Sequence, residues 1–265
     1  MREKSPINYN VVVFYGIQKE SIQWQELYEF ALNFIESHNQ KPSRMTLTGE
    51  QVKPSSKTKS FKHYNKIITA LEFNGIDGFW IGAGYPENPG GDQDDCFIGF
   101  YVDCHYGKEL FLYFRNELLG YDADLLKKIA VNLSCNTESQ FGAAFQINQR
   151  LKDPSRYVSA ILSDGDNQEM EENILNWDRA YNDKESYKTG DLRDLYPLNF
   201  ISETHLQRDV FGQSLRQWIE SDLVRGTLEP LNGALWTWEI PQENISDLRL
   251  QLKDTDILVC FRPYE

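Results

Sequence analysis

The sequence predicts an α+β protein with a largely antiparallel or mixed sheet and helices packed on it. Three observations carry that expectation. Apolar runs of strand length, such as residues 11–15, are interspersed with amphipathic helical patterns. They lack the regular strand–helix alternation of a doubly wound parallel sheet. Asn232-Gly233 stands between two apolar runs, a strong hairpin signal because both residues tolerate positive φ.

The elements follow in order. Residues 11–15 read as a buried strand ended by Gly16. Leu27, Phe30, Ala31 and Phe34 recur at helical spacing, with Ser21 as a cap. A short strand is expected over 45–48. Phe61, Tyr64, Ile67, Ile68 and Leu71 give a second helix, capped by Ser60 and ended by Asn74-Gly75. Strands follow at 76–83, 96–103 and 110–114, then a helix after Asp122 and a strand at 141–147. The polar stretch 148–194 reads as a short strand at 157–162 and a helix over 169–181. Residues 214–219 are helical. The end of the chain reads as a ββαβ unit: the Asn-Gly hairpin, a helix capped by Asn244, and a closing strand at 257–261. The first half can hold a split βαβ arrangement of ferredoxin-like type. The domain reading is an N-terminal α+β subdomain (1–150), an acidic linker or insertion (151–194) and a C-terminal subdomain (195–265), packed as one globular unit.

Charge is the main functional clue. The net charge is -13 over 265 residues. Residues 1–150 hold 15 Lys and Arg against 18 Asp and Glu, whereas 151–265 hold 12 against 22. Phosphates repel such a surface, so nucleic acid is disfavoured as a partner. A basic protein partner is favoured by field complementarity. The opening MREKSPINYN has no apolar run, and no stretch approaches the ~20 apolar residues that cross a bilayer. The expectation is therefore a cytoplasmic protein with free thiols, away from membranes, as a monomer or homodimer.

Motifs for chemistry are sparse. Asp92, Asp94 and Asp95 follow two glycines and could hold a hard cation. Together with Asp103 they give an alternative reading as a metal-dependent hydrolase. A solvated acidic turn explains the same run. Asp103-Cys104-His105 has the residue types of a thiol hydrolase, but neighbours on a strand face opposite ways. The histidines lie too far apart for a helical zinc site, and no phosphate-binding glycine loop is present. The sequence thus predicts no cofactor, no metal and no catalytic residue.

The acidic run Asp164, Asp166, Glu169, Glu171 and Glu172, followed by Trp177, Tyr181 and Tyr187, is the expected partner-binding set. Aromatics rimmed by charge are frequent interface anchors. Acids at a helix start, opposing the dipole, explain part of the same run. In general character, being acidic, α+β and motif-poor, the chain resembles small cytoplasmic immunity proteins of bacterial toxin systems. That resemblance implies a binding module that neutralises a basic toxin domain. A structural component of a larger assembly is the remaining alternative.

Overall fold

The computed structural model describes residues 8–52, 59–84, 96–105, 108–148, 157–159, 168–182 and 186–262. Its frame is a ten-stranded sheet whose strand pairs are all antiparallel. At the centre lies β1 (Asn8–Tyr15), between β6 (Glu109–Arg115) and β7 (Phe141–Asn148). Residues 11–14 are wholly buried, as expected for a strand covered on both faces. Outward from β6 run β5 (Ile98–Asp103), β4 (Ile76–Ala83), β2 (Pro42–Gly49) and the short β3 (Lys59–Ser60). Outward from β7 run β8 (Leu198–Ser202), β12 (Leu235–Glu239) and β11 (Thr227–Asn232). The sheet therefore continues without a break from the first half of the sequence into the second.

The expected α+β class is what the chain adopts, and the ferredoxin-like element is legible within it. Strands β7, β1, β6 and β5 stand side by side in that order. This is the ferredoxin-like order, with β2, β3 and β4 inserted ahead of β5. Helices α1 (Trp24–Ser37), α2 (Phe61–Leu71) and α4 (Ala123–Cys135) cover one face. Their buried residues, including Ala31, Ile68 and Ala130, join Val12 and Phe14 in one core. A four-residue helix α3 (Asn116–Leu119) precedes α4. Buried Asn10 donates to Gly120 O at 3.0 Å and accepts from Gln146 at 3.0 Å, which pins the α3 turn to the sheet.

The other face carries Tyr9, Val11, Val13 and Tyr15 of β1 in a second core. Its cover includes α5 (Gln168–Asn182), the buried segment 191–196 and the C-terminal elements. These elements are α6 (Glu203–Leu206), the small hairpin β9 (Asp209–Val210) and β10 (Gln213–Ser214), α7 (Leu215–Glu220) and α8 (Ile245–Leu252).

Several local expectations are corrected. Residues 257–261 do not form a strand. Val259–Phe261 is a 3-10 turn, and Leu258 makes one isolated bridge with Leu192, so the terminal unit is ββα. Tyr157 and Val158 lie in a helical turn, not a strand. That turn lets two successive carbonyls face one donor, as described below. The hairpin loop is Gly233-Ala234, since Asn232 pairs with Leu235. Neither Asn232 nor Gly233 has positive φ. Asn232 Oδ1 instead accepts from the amides of Ala234 and Leu235, both at 3.1 Å, an Asx turn. Asn244 makes no side-chain cap, because its amide is committed to Val224 O at 2.9 Å. Ser21 lies ahead of α1 and Ser60 makes no side-chain cap, whereas Asp122 does cap α4.

Trp236 and Trp238 share the second-core face of β12, as the alternation requires. Trp238 is fully buried and meets Trp218 edge-on at 6.4 Å. Trp236 is half-buried beneath the Arg216 guanidinium at 4.2 Å. Urea unfolding should show Trp238→Ala costing about 3–5 kcal/mol and Trp236→Ala clearly less. Equal costs would contradict this placement.

Candidate functional site

The segment Asp191-Leu192-Arg193-Asp194-Leu195 alternates charge with leucine, and all five residues are buried. A buried guanidinium needs an acceptor for nearly every N–H. Arg193 Nη1 donates to Tyr15 Oη at 2.9 Å and Val158 O at 3.1 Å, and Nη2 donates to Tyr157 O at 2.5 Å. Its Nε faces Asn173 Oδ1 at 3.4 Å. The guanidinium also lies 4.2 Å from the Tyr157 ring and 5.6 Å from the Trp177 ring. Arg193 thereby ties together β1, the turn at 157–158 and α5. Burial pushes Tyr15 up, while the neighbouring Arg193 opposes that shift. Tyr15 therefore stays a neutral hydroxyl.

Around this centre the other arginines of 186–262 are half-buried; Arg208, Arg249 and Arg262 reach the buried acids, while Arg216 and Arg262 also pair with the exposed Glu203, Glu220 and Asp256. Arg249 Nε sits 2.7 Å from Asp194 Oδ1. Arg262 and Arg208 converge on Asp191 at 2.7 and 3.1 Å. Arg216 pairs with Glu203 at 2.9 Å. Arg225 donates to Trp218 O at 2.7 Å and lies over the Trp218 ring at 4.4 Å.

Across 186–262, nine acidic residues are exposed: Glu203, Asp209, Glu220, Asp222, Glu229, Glu243, Asp247, Asp254 and Asp256. The only exposed basic residues in that range are Lys188 and Lys253. Exposed acids thus outnumber exposed bases nine to two in this range, with Glu203, Glu220 and Asp256 of the nine paired to half-buried arginines. Exposed apolar side chains lie in the same range, among them Phe211, Leu223, Val224 and Leu250.

The expected partner-binding residues divide. Trp177 is a correction: it is 1% exposed and packs edge-on to Tyr15 at 5.1 Å, in the core. Its position follows from the helical spacing of Ile174, Trp177 and Ala180, all buried. Glu169, Glu171 and Glu172 stand in the first turns of α5, and Tyr181 near its end. Tyr187 is on the 3-10 turn Ser186–Thr189. Asp164 and Asp166 lie outside the described residues, as do Asp92, Asp94 and Asp95. Among the described residues, no three His, Cys, Asp or Glu form a metal-holding group. Asp103 and Cys96, which follows the glycine loop, are separated by β5, roughly 17 Å of strand. Asp103 accepts from His105 N at 2.8 Å and Tyr101 Oη at 3.3 Å. Cys104 donates to Asp77 O at 3.0 Å, and burial, with Asp77 and Asp103 nearby, pushes its thiol up to about 11. That is the opposite of an activated nucleophile.

An open groove of about 830 Å³ borders β7. It exists because β8 follows β7 only as far as Ala144. Pro197 has no N–H to continue the ladder. Tyr196 N–H and O are taken instead by the Asn199 side chain at 3.1 and 2.7 Å. Phe145, Ile147, Tyr157, Tyr196 and Ile245 line the groove with Leu195, Pro197 and the uncharged Asn8, Gln146 and Gln242. The hydroxyls of Tyr157 and Tyr196 meet at 3.0 Å. Such a lining offers burial and hydrogen bonds, and among the described residues it presents no charged group for acid–base work.

The sequence did not single out Arg193, Asp191, Asp194 or the Leu223-Val224 pair. The first three had a signal: charges alternating with leucines just before Tyr196-Pro197 can only be accommodated in a core by pairing. Glu109 was missed too. It faces Asp103 across the β5–β6 ladder and is 3% exposed. Burial pushes its carboxyl up to about 7, the Ser159 hydroxyl bond opposes this, and Asp103 adds to it.

A raised carboxyl favours the fold while it is protonated. Its contribution is complete below about pH 4.5 and is lost as pH rises through about 7. Glu109→Gln should therefore flatten stability between those values and exceed the wild type above pH 7 by a few kcal/mol, ~3. Urea melts of both proteins at pH 4, 6 and 8 check this. A constant difference across the three would contradict it.

No protein-family model matches the chain, and no curated protein sequence matches it. Among solved structures, the fold is similar to that of the Pseudomonas aeruginosa T6SS protein PA0821. The TM-score is 0.54 and the identity 11%, over 96% of this chain and 77% of that one. At this identity the likeness concerns the fold.

Proposed function

We propose that the chain acts by binding a basic protein, without catalysis of its own, as an immunity-type module that neutralises a bacterial toxin domain. The observation that carries this reading is the balance of exposed charge across the described residues 186–262: nine exposed acids against two exposed bases, with Arg193, Arg208 and Arg249 committed to buried partners. Such a surface raises the encounter rate with a cationic partner and repels phosphates. The fold likeness to a bacterial T6SS protein is in keeping with this reading. Glu169, Glu171 and Glu172, in the first turns of α5, remain candidates by their sequence alone.

The test is the association rate with a captured basic partner at 50 and 500 mM salt. The on-rate should fall at least about tenfold across that range. Two charge-reversed variants then locate the acids that matter. One carries Lys at Asp166, Glu169, Glu171 and Glu172, and the other at Asp209, Glu220 and Asp222. At least one should slow association with a change in melting temperature of no more than a few degrees. Identical on-rates at both salts would contradict an electrostatic encounter.

A further inference from the structure

We infer that Leu223 and Val224 form the apolar anchor by which this chain grips its basic partner. The inference rests on the binding function proposed above and names the surface that performs it. Leu223 is 85% exposed and Val224 53%. They occupy the 3-10 turn Leu223–Arg225 between α7 and β11.

This turn is held on every side. Asp222 O accepts from Arg225 N at 2.9 Å, and Leu223 O accepts from Gly226 N at 3.1 Å. Val224 O accepts from Asn244 Nδ2 at 2.9 Å, and Arg225 O accepts from Trp238 Nε1 at 2.7 Å. Val224 N–H donates to Asp222 Oδ1 at 3.0 Å. The turn closes on Gly226 with φ +96, where a Cβ would lie 2.0 Å from Glu239 O; no other residue fits there. Beneath it sit the buried rings of Trp218 and Trp238.

A turn this constrained should also bury its apolar side chains if the fold had a use for them. Instead it holds two of them in water. Displaying a fixed apolar pair loses little entropy on binding, which is the property of an interface anchor. The occupant follows from the surrounding charge. Glu220 and Asp222 flank the pair in sequence, and Asn244 brings exposed Glu243 beside it. The cation within the turn, Arg225, is folded back onto Trp218 and Ser221. An apolar knob with exposed Asp222 and Glu243 beside it complements a basic surface with an apolar recess.

The experiment uses the full chain. The wild type captures a protein from its native cells, which is identified, produced separately and titrated against each variant. Leu223→Ser/Val224→Ser should weaken binding at least about 30-fold and leave melting temperature and the salt dependence of the on-rate unchanged. Val131→Ser, on α4 across the sheet, should change affinity less than threefold. Lys at Glu220 and Glu243 should instead reduce the on-rate and its salt dependence. Wild-type affinity in the Leu223/Val224 variant would overturn the anchor and leave the binding function standing. Failure of the wild type to bind any basic protein would overturn both. Concentration-dependent dimerisation that the serine variant abolishes would make the pair a self-contact and overturn the anchor.

Discussion

The fold of the second half depends on how a buried guanidinium is satisfied. Arg193 is 1% exposed, so water cannot supply its acceptors. The chain supplies them from β1, α5 and the helical turn at 157–158. Each of those groups would lose about 1–3 kcal/mol if left unpaired in the core. The interaction therefore fixes a place as well as an energy. It sets where α5 lies, and it brings Asp191 and Asp194 to the positions that draw in Arg208, Arg249 and Arg262.

The proposed binding function rests on what remains outside. Arg193, Arg208 and Arg249 are committed to internal partners, while Asp209, Asp222, Glu229, Glu243, Asp247 and Asp254 stay exposed on the C-terminal layer. The helices of the other face serve the core: α1, α2 and α4 bury one stripe each against the sheet. Among the described residues, Leu223 and Val224 on the C-terminal layer are more exposed than Tyr121 and Val131 on the helical side. The uncharged groove beside β7 is a separate feature. It arises from a proline and an asparagine that end the β8 ladder early.

Much of the fold was legible in the sequence, for definable reasons. Strands β1, β4 and β7 and helices α1, α2 and α4 carry strong local patterns, and the tertiary structure agrees with them. Residues 157–158 and 257–261 were misread because their β-branched and aromatic residues serve other needs: carbonyl direction at 157–158, and a 3-10 turn against α5 at the end. The Asn-Gly hairpin was placed correctly within a residue, yet its turn chemistry belongs to the Asn232 side chain. Trp177 shows the limit for sites. Its neighbours are acidic, so composition suggested surface, whereas its spacing with Ile174 and Ala180 set it in the core. Leu223 was invisible because an exposed leucine next to a valine reads as any apolar pair; only the hydrogen bonds around it reveal that it is held out.

In the proposed binding function the acidic C-terminal layer, rather than the helical face, meets the partner. Hydrogen exchange of the chain with and without a basic partner distinguishes the two faces. Exchange should slow at residues 221–226 and 242–245, with the amides of α1 and α2 unchanged. Protection concentrated on α1 and α2, with none at those two turns, would contradict it.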